Sequence, residues 1–301
     1  MNKTLSIEAF MNFPKSQKSS VLEGILKRSN KNYGKAFQAP HDAIYWSAES
    51  LSLDSVASYS EADEAVQRRI LQDVSYSLLR EAFAIERAGM AFASKMVLLS
   101  DDLESRILYS QFAAQEAAHY QAIAAHIPYE PNDLDQDLFL GLLKDSIESC
   151  DRMTLTLIIQ VFLEGWGLLH YKKLAKDCLN PGLTEEFKQI LQDEANHHGS
   201  GVALFDLNLM TDAQRADSLR ILRELLKMVA AGPFTLASIL RKHLNPDASP
   251  FAYYKELRHE QETALKLQQL RRILLVGGAE RFVEILDQES AFHVQKLTES
   301  R

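Results

Sequence analysis

Apolar residues return every three or four positions along most of this chain, with no sustained alternation of the β kind, so the pattern predicts an all-α protein. Four long helices stand out. The first is predicted over 62–99, and Ser100, Asp101 and Asp102 then break it and supply a capping oxygen for a second over 102–126. Pro128 and Pro131 stop that helix, and the short amphipathic segment DLDQDLFLGLLKDSI follows. A third helix is predicted over 151–178. Asn180, Pro181 and Gly182 make a turn, and Thr184 with Glu185 and Glu186 gives the fourth helix a capped, acidic start. Two tight hairpins joined by a connection of roughly 25 residues describe a four-helix bundle with one long crossover.

On this reading the chain divides into an N-terminal arm with short helices over 1–61, the bundle over 62–208, and further helices over 209–301 packed on the bundle, all as a single domain. The arm is Lys- and Ser-rich and contains Pro14 and Pro40, with Tyr45 and Trp46 as its anchors. Asp212, Pro233, Pro246, Pro250 and the Gly277–Gly278 pair cut the last segment into three or four helices, which serve as a buttress, a cover over a substrate entrance, or the face of a homodimer.

Composition narrows the chemistry. Cys150 and Cys178 are the only cysteines, too few for a disulfide framework or a thiolate metal site. A net charge of −8 and a pI near 5.6 give no global attraction to polyanions, which argues against a nucleic-acid partner. The N-terminus has no apolar run of signal-peptide length, and no segment is expected to reach the ~20 apolar residues that span a bilayer. The expectation is a cytoplasmic protein with no membrane partner.

Three Glu-x-x-His motifs occur: Glu116 with His119, Glu194 with His197, and Glu256 with His259. With nine histidines in 301 residues about one match arises by chance, so the motif alone decides little. What stands upstream does. Thirty residues before Glu116 is Glu86, and thirty before Glu194 is Glu164, whereas thirty before Glu256 is Leu226. The first two sets also repeat at an offset of 78, from Glu86 to Glu164, Glu116 to Glu194 and His119 to His197. Glu81 fails this test because position 159 is Ile159, so Glu86 is preferred. Glu256 and His259 are assigned to surface polarity.

Two positions thirty residues apart across a tight helical hairpin can return to the same height, and Glu and His three apart share a helix face. Four carboxylates and two imidazoles can therefore converge at one level of the bundle, as in di-iron and di-manganese carboxylate proteins. Without metal, four carboxylates in apolar surroundings would carry a large desolvation penalty, and two divalent cations would neutralise them. Oxygen ligands with imidazole suit Fe or Mn better than a closed structural Zn site.

With these six residues the chain resembles the ferritin-like di-iron carboxylate oxygenase and oxidase superfamily, over about residues 62–208. The resemblance implies that Glu86, Glu116, His119, Glu164, Glu194 and His197 bind two Fe ions, or Fe with Mn, and that O2 is a co-substrate. It implies an O2-dependent oxidoreductase that hydroxylates, desaturates or cleaves a small, partly apolar organic substrate, with electrons from an external donor. It also implies that Asp193 orients the His119 imidazole through a hydrogen bond, with Gln115 as a weaker counterpart for His197. Two alternatives rank lower. The radical-generating small subunit of ribonucleotide reductase typically carries a tyrosine where this chain has Ile123, and ferritins that only handle iron are shorter and lack the second histidine.

Phe83, Met90, Gln160, Val161, Gly167 and Leu168 are expected to line the cavity, with Gln160 hydrogen-bonding substrate or a bound water. Gly165 and Gly167 beside Glu164 fit close packing, or a space at Gly167 with a helix distortion there. Tyr109 and Tyr171 read as core. His198 is either an extra ligand or a residue behind the ligands, and the sequence leaves both open.

Overall fold

The computed structural model describes residues 16–29, 37–131 and 137–295. Parts of the predicted arm, at 1–15 and 30–36, and the start of the predicted crossover, at 132–136, lie outside the described residues. Among those described the protein is all-helical, and its one β contact is an isolated antiparallel bridge between Trp46 and Cys178. In chain order the helices are α1 (Ser19–Ser29), α2 (Ala57–Ser60), α3 (Glu64–Leu99), α4 (Leu103–Ala124), α5 (Leu138–Ser149) and α6 (Arg152–Leu155). A π-helical stretch, Thr156–Leu163, leads without a break into α7 (Glu164–Asp177). Then come α8 (Pro181–Leu204), α9 (Asp212–Ala230), α10 (Phe234–Leu244), α11 (Pro250–Glu256), α12 (Glu260–Val276) and α13 (Glu280–Gln288). Among its described residues the C-terminal part thus holds five helices, one or two more than its breakers suggest.

The helix starts follow from side chains that satisfy orphan amides. Asp102 accepts from the Ser105 amide at 2.7 Å to open α4, as its position predicts. Helix α8 begins a turn earlier than expected: Asn180 is the cap, accepting from the Leu183 amide at 3.0 Å, with Pro181 in the first turn. Proline has no amide hydrogen to lose there, so Asn180–Pro181 starts the helix instead of turning the chain. Thr211 and Gln214 form a reciprocal capping box on α9.

By internal contacts the chain forms two compact units, one of residues 1–40 and 79–155, the other of 41–78 and 156–301. In the first unit the second part of α3 and α4 form a hairpin whose direction can be read from its contacts. Phe83 meets Tyr120, Glu86 meets His119, Gly89 meets Glu116 and Phe92 meets Tyr109, so later positions on α3 pair with earlier ones on α4. Tyr109 is fully buried, edge-on to both Phe92 and Phe112. Lys95 is buried too, and its Nζ donates to the carbonyls of Ile147, Glu148 and Cys150 at 2.7, 3.1 and 2.8 Å, closing the C-terminal end of α5. Burial, as the largest influence, pushes the Lys95 pKa down against the neighbouring Cys150, Asp151 and Glu148.

In the second unit α7 and α8 form the matching hairpin, with Tyr171 against Phe187, Gly165 against His198 and Gln160 against Gly201. Tyr45 and Trp46 anchor their segment here: Trp46 is buried beside Phe187 and donates from Nε1 to the Leu174 carbonyl, and the Tyr45 carbonyl accepts from the Leu179 amide. Helix α12 packs on α7, on the π stretch and on α9. A separate apolar cluster joins Leu53, Val56, Ile70 and Val74 to Ala237, Leu240 and Tyr253.

The expectation that no segment has the length and hydropathy of a bilayer span does not hold. The continuous helix Arg152–Asp177 qualifies by length and composition, with a mean hydropathy of 1.3, and 56% of its apolar window is buried inside the protein. The reason is its packing against α8, α9 and α12, because a helix covered on several sides needs apolar residues all round.

Candidate metal centre

Each hairpin gathers one predicted triad. In the first unit, Glu86, Glu116 and His119 bring one ligand atom each within 4.8 Å of one another. His119 Nδ1 lies 3.1 Å from Glu86 Oε2 and 4.0 Å from Glu116 Oε2, so the imidazole edge faces both carboxylates. In the second unit, Glu164, Glu194 and His197 are likewise within 4.8 Å, and His197 Nδ1 lies 3.7 Å from Glu194 Oε2. Glu86, Glu116, His119, Glu194 and His197 are between 1% and 4% exposed, while Glu164 is half-buried. Glu81 is exposed, in keeping with the preference for Glu86.

Two carboxylates and an imidazole with their ligand atoms within 4.8 Å of one another make a donor set for a hard or borderline divalent cation. Such a group carries more acceptors than donors, so bringing a cation among them relieves both repulsion and desolvation. Each unit therefore holds a buried Glu/His cluster that fits a metal ion.

The backbone makes room for the first cluster at a glycine that the motif spacing does not mark. A β-carbon at Gly89 would sit 2.6 Å from the Glu116 carboxylate carbon, so the absence of a side chain there lets the carboxylate lie against α3. The signal was available, because Gly89 and Gly167 are separated by the same offset of 78. The two glycines do different work: a β-carbon at Gly167 meets open space, beside the less buried Glu164.

The helix distortion expected at Gly167 lies instead upstream, in the π stretch Thr156–Leu163 that delivers Glu164. Gln160 sits inside it, fully buried, and its side-chain amide donates to the His197 carbonyl at 3.3 Å and to Ser200 Oγ at 3.0 Å. That amide nitrogen serves α8, where the sequence suggested substrate or water. His198 Nδ1 lies 3.1 Å from the Gln160 carbonyl. Val161 is buried with its methyl against Gly277 at the end of α12. Phe83 is buried between Tyr120 and Phe37, while Met90 and Leu168 are half-buried. Asp193 is half-buried and accepts from Gln189 at 3.4 Å, and Gln115 is half-buried as well.

The third Glu-x-x-His is not a surface pair. Arg258 takes a left-handed φ of 44° and breaks the helix between α11 and α12, so Glu256 and His259 share no helix face. Glu256 accepts from the Ser58 amide at 3.1 Å, and His259 is buried against Tyr254, its Nδ1 3.0 Å from Thr263 Oγ1. Nearby on α7, His170 is held neutral: burial foremost, then the charges of Lys266 and Lys173, bring its pKa down to about 4. No known protein family, curated protein or solved structure matches the chain.

Proposed function

We propose that the protein is an O2-dependent di-iron oxygenase of the ferritin-like, one-crossover bundle class, and that its two triads hold the metal ions. The observation that carries this reading is the recurrence of one Glu/His triad, Glu86–Glu116–His119 and Glu164–Glu194–His197, at an offset of 78 residues, with every residue but the half-buried Glu164 buried. Helical symmetry of this kind with Glu and Glu-x-x-His on each hairpin is the donor arrangement of di-iron and di-manganese bundles. When bound, two iron ions, or iron with manganese, supply the electrons that reduce dioxygen and the oxidising power that attacks an organic substrate.

The chain's own residues do the rest. Glu86, Glu116, Glu164 and Glu194 would hold the cations and balance their charge, and His119 and His197, whose Nδ1 atoms are turned to Glu86 and Glu194, would complete the donor sets. Phe83 and Met90 in the first unit and Leu168 in the second would give each triad apolar surroundings, which favour a substrate with an aliphatic or aromatic part. On this reading substrate and dioxygen approach beside the half-buried Glu164, where a β-carbon at Gly167 would meet open space. Electrons come from an external donor.

Metal analysis of the purified protein tests this directly: about two Fe, or Fe plus Mn, per chain are expected, with loss in Glu116→Ala and in Glu194→Ala. Protein that stays metal-free after anaerobic Fe(II) loading, with all six residues intact, refutes the site. Exposure of the loaded protein to oxygen then separates the chemistries. An oxygenase consumes O2 and oxidises an added apolar substrate; accumulation of ferric mineral or a stable tyrosyl radical without substrate oxidation refutes the oxygenase reading.

A further inference from the structure

We propose that His198 is a positioning residue that locks the π-helical stretch ahead of Glu164, an assignment that rests on the two-metal reading above. The Gln160 carbonyl can only accept, so His198 Nδ1 carries the hydrogen and donates to it at 3.1 Å. The same ring lies close to the chain just past Glu164: a β-carbon at Gly165 would meet His198 Cε1 at 2.9 Å and Nδ1 at 3.0 Å. His198 thus touches the backbone four residues before Glu164 and one residue after it.

The tie is returned from the other side. The Gln160 side chain donates to the His197 carbonyl and to Ser200 Oγ, and Ser200 Oγ donates to the same carbonyl at 2.8 Å. Gly201 lets α8 approach closely enough for this, since a β-carbon there would overlap Gln160. The segment that delivers Glu164 and the turn that carries His197 are therefore braced as one piece.

A brace is needed because π-helical turns are rare and persist where their surroundings hold them. Sliding toward α-helical register by one residue would turn the Glu164 side chain by roughly 100°. His198 Nδ1 is committed to a carbonyl, whereas His197 Nδ1 is turned to the Glu194 carboxylate. The question left open by the sequence, ligand or support, resolves to support.

The test compares wild type, His198→Ala, His198→Leu and His198→Asn in the full chain. Asparagine can present an N–H near the place of Nδ1–H, leucine keeps bulk without a donor, and alanine keeps neither. Hydrogen exchange of the amides of residues 156–165, measured without metal, should quicken about tenfold or more in the alanine and leucine variants and return to within about threefold of wild type in the asparagine variant. Co(II) titration should show unchanged stoichiometry, an altered visible spectrum and about 10- to 100-fold weaker binding for alanine and leucine, again recovered by asparagine. Wild-type exchange and Co(II) binding in both His198→Ala and His198→Leu would overturn the proposal. So would loss of one Co(II) per chain in all three variants, which would make the imidazole itself a ligand. Wild-type protein that takes up no Co(II) refutes the two-metal reading itself, and the metal-free exchange measurement then still decides whether the brace exists.

Discussion

Gly89→Ala should strengthen the helix and weaken the site, two effects of opposite sign from one methyl group. Alanine in the interior of α3 is favoured over glycine by about 1 kcal/mol, partly because it restricts the unfolded chain. The new carbon would lie 2.6 Å from the Glu116 carboxylate carbon. Ordinary carbon contacts are about 3.5–4.0 Å, so the carboxylate must withdraw by about 1 Å. It ends a flexible side chain, so the fold absorbs this easily. A metal site does not, because ligand distances are held to within about 0.2 Å. Thermal unfolding of the metal-free variant should therefore match or exceed wild type, while Fe(II) or Co(II) affinity falls at least about tenfold. Metal affinity equal to wild type would refute the placement of Glu116 against α3 and its part in the site. A large loss of stability in the metal-free protein would refute the idea that the side chain yields more readily than the backbone.

Three other outcomes are expected. Glu86→Gln should lower bound metal sharply while Glu81→Gln leaves it unchanged, and metal content measured on both separates the buried carboxylate from its exposed neighbour. Lys95→Met keeps the apolar stem but leaves three carbonyls at the end of α5 without their charged donor, so urea denaturation should show a loss of about 2–4 kcal/mol; a loss under about 0.5 kcal/mol would mean water replaces the ammonium. His170, with its Nε2 closed to solvent although the residue is only half-buried, stays neutral down to about pH 4, whereas the unfolded chain takes up the proton near the ordinary 6.5. Its effect is absent above pH 6.5, and wild-type stability declines relative to His170→Gln as pH falls from 6.5 to 4, by about 2–3 kcal/mol at about 1.4 kcal/mol per pH unit. A stability difference between the two proteins that stays flat from pH 7.5 to 4 would contradict this.

The hairpins were legible because their signals are local: period, breaker and cap all sit within a few residues of the feature they set. Asp102 illustrates this, as does the thirty-residue spacing that returns Glu86 and Glu116 to one height. The π stretch was not legible. TLIIQVFL is apolar on every side apart from Thr156 and Gln160, so no polar stripe reveals how the backbone winds. Glu256 and His259 misled for the opposite reason, since their helical spacing is real but a single left-handed residue, Arg258, separates the helices. Gly89 went unread because a glycine inside a helix looks like a weakness until the neighbouring chain is known. Only its recurrence 78 residues later, as Gly167, gave it away in one dimension.

The way the chain alternates between its two units has a bearing on synthesis. The segment 41–78 belongs with residues 156–301, yet the ribosome delivers 79–155 in between. Trp46, which ends buried with its indole on the Leu174 carbonyl, precedes that partner by 128 residues. At roughly 5–20 residues per second the indole and its apolar neighbours wait about 6–25 s for a surface to join. During that interval the nascent chain carries a ready hydrophobic ligand for holdase chaperones, and slowing translation between codons 79 and 155 should lengthen its time in their hands.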